Sequence, residues 1–430
     1  MTRFESLLVL IGLYLVWPLY QALDYILVQP FANPADMANY AASILAYNWL
    51  LWNVLLGLKL PVLQRLLPYD FRIRAHVLST MALTAFLVWH TIYYLAVNPK
   101  DLNLTTWALM AIYPTLVLLS VLWIPVPGIR RLRAWLLSGA NAAVTRGYDL
   151  LKVTHKGLYI VLAALTYLHI VDAKIIGVAS PASSIGFQLL FVLAAVAYLW
   201  TRIRNRWLPT VRVVSVASQG GITRLVLTSH ARLRYQAGQF AFLRFSVPGL
   251  RGEEHPFSFA SAGHEDTVEF AIKEVGDFTR KLARLAAGDR VRVNAGFGSF
   301  SPRPRYRNRS PVFIGTGVGA APILSVLKNL AAQNHREPLV CLIAVSRRDE
   351  LIDEPSWAQF HESLPGLDLR ILVSSEGAPR LETVLAGLRD PAEKDYWLCA
   401  SDGVRRGLVR TLVALDVVAS QIHYEAFSLG

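Results

Sequence analysis

The chain has 430 residues, with 43 basic against 30 acidic side chains, a formal net charge of +13 and 54% apolar residues. Charged residues make up 17%, where soluble domains carry about 25%, and the deficit is local: residues 1–207 hold 16 Lys/Arg and 7 Asp/Glu, residues 208–430 hold 27 and 23. A purely soluble enzyme and a disordered chain are thereby excluded, and so is a disulfide scaffold, since the two cysteines, Cys341 and Cys399, show no stapling pattern.

Six apolar segments occupy approximately 6–28, 38–62, 76–97, 103–124, 150–171 and 183–203, each near the ~20 residues a helix needs to cross a bilayer. The first begins with Arg3 and lacks a small-residue cleavage site, so it reads as a retained helix rather than a secretory signal. Basic residues gather in alternate loops: Lys59, Arg65, Arg72 and Arg74, then Arg130, Arg131, Arg133 and Arg146, then Arg202, Arg204 and Arg206. The opposite loops hold only Lys100 and Lys174. Positive charge stays on the cytoplasmic side, which predicts an integral membrane protein with both termini cytoplasmic. The same placement accounts for a pI near 9.8, so the lipid bilayer is the expected partner and nucleic acid is not.

Four of the ten histidines fall in the predicted spans, as His76/His90 in the third and His155/His169 in the fifth. Each pair is separated by 14 residues, about 21 Å of helical rise with a return to within roughly 40° of the same face. The third and fifth spans run in the same direction, so His76 is predicted level with His155 and His90 with His169. Two facing imidazoles at each of two depths suit two six-coordinate b-type haems, and an ionisable residue inside a membrane is a functional candidate by default. A proton relay gives no reason for the repeated interval. Phe86, Leu83 and Leu162 lie between the ligand levels, and Arg72, Arg74, Lys152 and Lys156 cluster near the inner one, where propionate pairing and membrane orientation explain them equally well.

From 211 to 300, short alternating runs such as Val211–Ala217, Ile222–Ser229, Gly238–Ser246 and Thr267–Glu274 predict a small antiparallel barrel. From 311 the pattern changes to strand–helix alternation, with Pro311–Ile314, a helix Ala320–Ala332 and a strand Pro338–Ser346, which predicts a parallel sheet. Between the first two lies Gly315-Thr316-Gly317-Val318-Gly319-Ala320, a G-x-G-x-x-A turn that lets backbone approach a pyrophosphate at a helix N-terminus. The next strand ends at Ser346-Arg347-Arg348, with acidic residues only after them. Two arginines there suit a 2′-phosphate and favour NADPH over NADH.

By these motifs the second half resembles the ferredoxin–NADP reductase family. The whole chain, from about residue 45 onward, resembles the transmembrane ferric reductase/NADPH oxidase superfamily, bacterial members included. His255-Pro256-Phe257-Ser258 matches that superfamily's flavin-binding segment. The match implies that Phe257 packs on the flavin, that Ser258 hydrogen-bonds near its reactive nitrogen and that His255 lies toward the pyrophosphate. Gly238-Gln239-Phe240 resembles the strand leading into it. Lys273, Gly276, Asp277, Phe278 and Thr279 resemble the segment that receives the FAD pyrophosphate. Tyr424-Glu425-Ala426-Phe427 resembles the closing segment, which makes Phe427 the aromatic that covers the flavin until nicotinamide displaces it. Cys399-Ala400-Ser401 keeps the cysteine beside the nicotinamide but departs from the family's Cys-Gly-Pro.

The expected architecture is a membrane α-helical bundle of six transmembrane helices (1–207, dihaem), a β-barrel FAD domain (208–307) and an α/β NADPH-binding domain (308–430). The expected function is electron transfer from cytoplasmic NADPH through FAD and two b-type haems to a small-molecule acceptor on the outer face of a bacterial inner membrane. Dioxygen giving superoxide is the first reading. A ferric or cupric metalloreductase is the alternative, as is delivery to a quinone or periplasmic redox partner. Other protein partners are not indicated by any motif.

Overall fold

The computed structural model describes residues 3–31, 33–60, 63, 66, 67, 69–97, 103–121, 141–228, 233–250, 254–300 and 309–424. Those up to Arg206 form one compact unit and those from Trp207 onward a second.

The first unit is helical. Arg3–Ile11, a π-helical stretch Gly12–Val16 and Trp17–Val28 run on from one another, followed by Pro34–Gly57, Tyr69–Val97, Leu104–Val121, Asn141–Asp172, the short Ile175–Val178 and Pro181–Arg204. Local chemistry sets the starts: Pro34 opens its helix behind Asn33, whose side chain accepts from the Asp36 N–H at 2.9 Å. Ser180 caps Pro181–Arg204 in the same way.

Among the described residues, four helices are long and apolar enough to cross a membrane: Leu7–Val28, Phe71–Val97, Gly157–Val178 and Pro181–Arg204. The apolar segments of the sequence number six. Helices stand at the other two positions, but Pro34–Gly57 turns three asparagines, Asn39, Asn48 and Asn53, into the core, which lowers its apolar content, and the stretch Leu104–Val117 is shorter. The His76/His90 helix exposes Leu78, Met81, Val88 and Ile92 while burying Leu83 completely. Large apolar side chains outside and polar ones inside are what a helix bundle solvated by lipid tails requires.

The second unit holds two sheets. β1 (Thr210–Gln219), β2 (Ile222–Thr228), β3 (Phe240–Phe245), β4 (His255–Ser258), β5 (Thr267–Lys273) and β6 (Arg290–Phe297) form an antiparallel, barrel-like sheet in the order β4-β3-β6-β1-β2-β5. Its two edges approach at a bridge between Phe259 and Phe270. The β1–β2 connection is the two-residue turn Gly220-Gly221, both at positive φ, the backbone that a tight hairpin with right-handed strand twist demands. Val211, Val213, Leu225, Leu227, Phe245 and Phe270 fill its interior.

β7 (Pro311–Thr316), β8 (Leu339–Val345), β9 (Leu367–Val373), β10 (Asp395–Cys399) and β11 (Ile422–Tyr424) form a second, all-parallel sheet in the order β11-β10-β7-β8-β9. β3 and β8 are each shorter than the apolar runs predicted for them, because both runs include turn residues. Buried side chains project from both faces of β8, so its sequence runs apolar rather than alternating.

The helix Ala320–Ala332 ties the two sheets together. The Ser325 hydroxyl donates to the Ser261 carbonyl at 2.6 Å and accepts from the Gly238 N–H at 3.3 Å. Lys328 reaches Asp353 at 3.0 Å and Glu265 at 3.7 Å. Burial raises the Asp353 pKa, but hydrogen bonds from Ser356 and Lys328 outweigh it, and the carboxyl titrates below its ordinary value. Its contribution is therefore present above about pH 4 and lost as pH falls through the native pKa. Asp353→Asn is expected to cost roughly 1–3 kcal/mol at pH 7 by urea unfolding of the detergent-solubilised protein, with the difference from wild type closing as pH falls through the native carboxyl pKa.

Candidate functional site

The structure brings the four membrane-half histidines together in twos. His76 and His155 have ring centres 6.4 Å apart at an interplanar angle of 74°, and His90 and His169 have centres 6.1 Å apart at 78°. Two imidazoles bound through nitrogen to one metal ion at about 2 Å each hold their ring centres roughly 6 Å apart. Both pairs have that spacing, so the donor set fits an axially coordinated metal. Among the described residues no group of three or more His, Cys, Asp or Glu side chains is placed to hold a metal ion, and a macrocycle that supplies its own equatorial donors needs none. Leu83 and Leu162 are fully buried in the same core.

A cavity of about 930 Å³ adjoins the His90/His169 pair, with Asn39, Thr106, Tyr113 and Thr166 also in its wall. Hydrogen bonds around this pair set the ring tautomers. Thr106 Oγ1 donates to Asn103 Oδ1 at 2.8 Å, so toward His169 Nδ1, 3.4 Å away, it is the acceptor. Asn39 Oδ1 stands 3.1 Å from His90 Nδ1 and accepts in the same way. With both Nδ1 protonated, both Nε2 lone pairs are left to ligate, the arrangement that metal-binding histidines adopt. On the first turn of the Tyr69–Val97 helix, Arg72 is buried and donates to the Leu58 carbonyl at 3.0 Å. The side chains of Lys152 and Lys156 lie outside the described residues.

In the second unit, His255, Pro256, Phe257 and Ser258 constitute β4, half-buried along its length and paired with β3. His255 stacks on Phe278 with ring centres 3.8 Å apart, which joins β4 to the short helix Asp277–Lys281. Thr279 turns its hydroxyl back to accept from the Gly276 N–H at 3.0 Å and so fixes the turn that follows Lys273. The β4 and Lys273–Thr279 segments therefore share one end of the antiparallel sheet.

Gly315 and Thr316 end β7, Gly317, Val318 and Gly319 form a single 3₁₀ turn, and the helix begins at Ala320. A Cβ on Gly319 would stand 2.0 Å from the Cys399 carbonyl oxygen, so only glycine lets this turn close onto the end of β10. The turn and Cys399, far apart in sequence, thus meet at the carboxyl ends of adjacent strands, where open α/β sheets bind ligands. Ser346 follows β8, Arg347 and Arg348 come next, and both guanidiniums are ion-paired. Arg347 reaches Asp349 at 3.0 Å, and Arg348 reaches Glu376 at 2.6 Å and Glu354 at 3.2 Å. Phe427 lies outside the described residues, which end at Tyr424, whose ring packs against Arg405 at 4.3 Å.

Residues 210–296 match the family model described as an FAD-binding domain. Methane monooxygenase component C of Methylosinus trichosporium is 29% identical over 208 residues, 46% of this chain and 60% of that protein. Dual oxidase 2 of Rattus norvegicus is 24% identical over 307 residues, 65% of this chain and 20% of that protein. An alignment of that extent exceeds the second unit and enters the helical one. The chain resembles the transmembrane ferric reductase/NADPH oxidase superfamily. Within its carboxy-terminal half, residues 210–296 are similar to an FAD-binding domain. Among solved structures, the flavohem-like FAD/NAD-binding domain of nitric oxide dioxygenase from Vibrio cholerae is 25% identical, with a TM-score of 0.44 over 50% of this chain and 97% of that one. The chain spans 60% or less of the length of the curated relatives named above.

In the second unit, the FAD-binding match runs from β1 into β6 and takes in both β4 and the Lys273–Thr279 segment. Sequence reasoning missed Asn39, Asn103 and Thr106 beside the histidines, and Glu354 and Glu376 beside Arg348. The three polar residues carried a signal, since amides and hydroxyls inside apolar spans mark sites or helix contacts. The two glutamates carried none, being ordinary surface residues until the sheet places them.

Proposed function

We propose that the chain carries electrons across a bacterial inner membrane from cytoplasmic NAD(P)H, NADPH by preference, through FAD and two b-type haems to a small-molecule acceptor on the outer face, dioxygen first. The observation that carries this reading is the pairing of four histidines at two levels, at haem-ligand spacing, in a chain that also contains an FAD-binding domain. On this reading the six long helices among the described residues cross the bilayer, both termini face the cytoplasm, and residues 1–207, 208–307 and 308–430 are the haem, FAD and NADPH domains.

His76 and His155 hold the inner haem, and His90 and His169 the outer one. When bound, FAD would supply the conversion of hydride to single-electron chemistry, and haem would supply one-electron relay. The protein's own work is placement. Asn39 and Thr106 orient the outer imidazoles, β4 holds Phe257 and Ser258 toward the flavin, and the Gly315–Gly319 turn receives the dinucleotide pyrophosphate. Cys399 and Phe427 flank the nicotinamide. With both histidines of each pair holding a haem, the acceptor would be reduced by outer-sphere transfer rather than by binding to metal.

The test is NADPH-driven cytochrome c reduction by the purified protein in detergent with added FAD, with and without superoxide dismutase. Loss of most of the signal with dismutase is the expected result and identifies superoxide as the product. A dismutase-insensitive signal would overturn the oxidase reading and direct the search to ferric and cupric chelates, quinones and periplasmic redox proteins.

A further inference from the structure

Three elements converge on Arg348. It opens the 3₁₀ turn Arg348–Glu350 just after β8. Its Nε and Nη2 donate to the two carboxylate oxygens of Glu376 at 2.8 and 2.6 Å, and its Nη1 reaches Glu354, at the start of the helix Glu354–Ser363, at 3.2 Å. Glu376 follows β9, and the Ser375 N–H donates to the Ser346 carbonyl at 3.0 Å, so the two loops are stitched together with Glu376 opposite Arg348. Arg347 is held in turn by Asp349 at 3.0 Å and Glu350 at 3.8 Å. Around the end of β8, two guanidiniums therefore face four carboxylates.

This arrangement opposes what two adjacent arginines suggest in isolation. A guanidinium recognises phosphate through a two-pronged edge, and the Nε/Nη2 edge of Arg348 is already occupied by a carboxylate of the same shape. The bonds from Arg348 hold the Glu376 carboxyl below its ordinary pKa, so protonation near neutrality does not release it. A ribose 2′-hydroxyl meets no such competition, because carboxylates accept hydrogen bonds from it.

We propose that Glu376 sets the coenzyme preference by competing with the 2′-phosphate of NADPH for the Arg348 guanidinium. The inference rests on reading Ser346–Arg348 as the 2′-phosphate subsite. Glu376 is a specificity residue that acts through Arg348, and it disfavours one dinucleotide rather than binding the other, the repulsive half of a discrimination. Glu354 adds a weaker, single contact to the same effect. The native protein accordingly uses NADH at a rate closer to that of NADPH than two unpaired arginines would permit.

The experiment is titration of the full-length, FAD-loaded protein in detergent with NADP⁺ and NAD⁺ at low salt, for wild type, Glu376→Gln, Arg348→Ala and the double variant. The readout is the ratio of the two dissociation constants. Glu376→Gln is expected to shift that ratio about five- to tenfold toward NADP⁺, the gain shrinking in high salt as screening weakens charge pairing and vanishing in the double variant. An unchanged ratio in Glu376→Gln, or a gain that survives without Arg348, overturns the proposal while leaving the subsite reading intact. Arg348→Ala binding NADP⁺ as tightly as wild type overturns the subsite reading itself. Thermal unfolding of each variant reports folding independently of the ratio.

Discussion

Replacing His90 with leucine is expected to remove one of two haems and to cut NADPH-driven reduction of an external acceptor by at least about 100-fold, the upper end of what loss of a mere supporting contact costs a metal site. The remaining haem, on His76 and His155, should still be reduced by NADPH, because nothing on its side of the membrane has changed. His169→Leu should behave identically. The geometry makes the demand sharp: the ring centres of each pair stand at about the distance one metal ion spans, and among the described residues no third metal-ligating side chain joins either pair. Haem content and low-temperature absorption spectra of the purified variants decide it. Two intact bis-histidine signals in either variant would sink the ligand assignment. A graded companion is Asn39→Leu, which keeps the ligand but frees the His90 Nδ1 proton from its acceptor. It should retain both haems with a raised midpoint potential at one of them, since a hydrogen bond from the imidazole N–H makes it a stronger donor that favours the oxidised metal.

The second large effect concerns the turn before Ala320. Gly319→Ala should slow flavin reduction by NADPH or NADH by roughly 10- to 100-fold while leaving FAD content and chemical reduction of the haems by dithionite unchanged. An added Cβ would meet the Cys399 carbonyl oxygen at 2.0 Å and its carbonyl carbon at 2.8 Å, both backbone atoms that cannot rotate away. The helix start and the end of β10 must separate, at an overpacking cost of about 1–3 kcal/mol, and a misplacement of about an ångström is enough to cost 100-fold where donor and acceptor must align. Stopped-flow bleaching of the flavin absorbance measures it. A wild-type rate would mean that the dinucleotide does not use this turn.

The charge cluster at the end of β8 connects these predictions to physiology. A coenzyme site whose arginines are already paired would hold its preference for NADPH weakly, and that preference would move with ionic strength because the competing ion pairs are exposed.

Much of this was legible in the amino-acid order alone, wherever the information is local. A helix returns to its own face after 14 residues because backbone hydrogen bonding sets its period, so the interval in His76/His90 and His155/His169 could be read without coordinates. The glycine turn announced itself because close backbone approach demands residues without a Cβ, and the helix after it was read at its observed bounds, Ala320–Ala332. Apolar length was legible as well, although the asparagines of Pro34–Gly57 show its limit: an amide hidden in a helical core subtracts from hydropathy while adding to the interior. What only the tertiary structure decided was partnership across distance. Asn39 and Thr106 lie 51 and 63 residues from the histidines they orient, Glu376 lies 28 from Arg348, and Cys399 meets Gly319 only because β10 and β7 are neighbours in the sheet. The physical reason is that charge and hydrogen bonding act through space over a few ångströms. A residue's type states what it can bind, and packing alone states what is there to be bound.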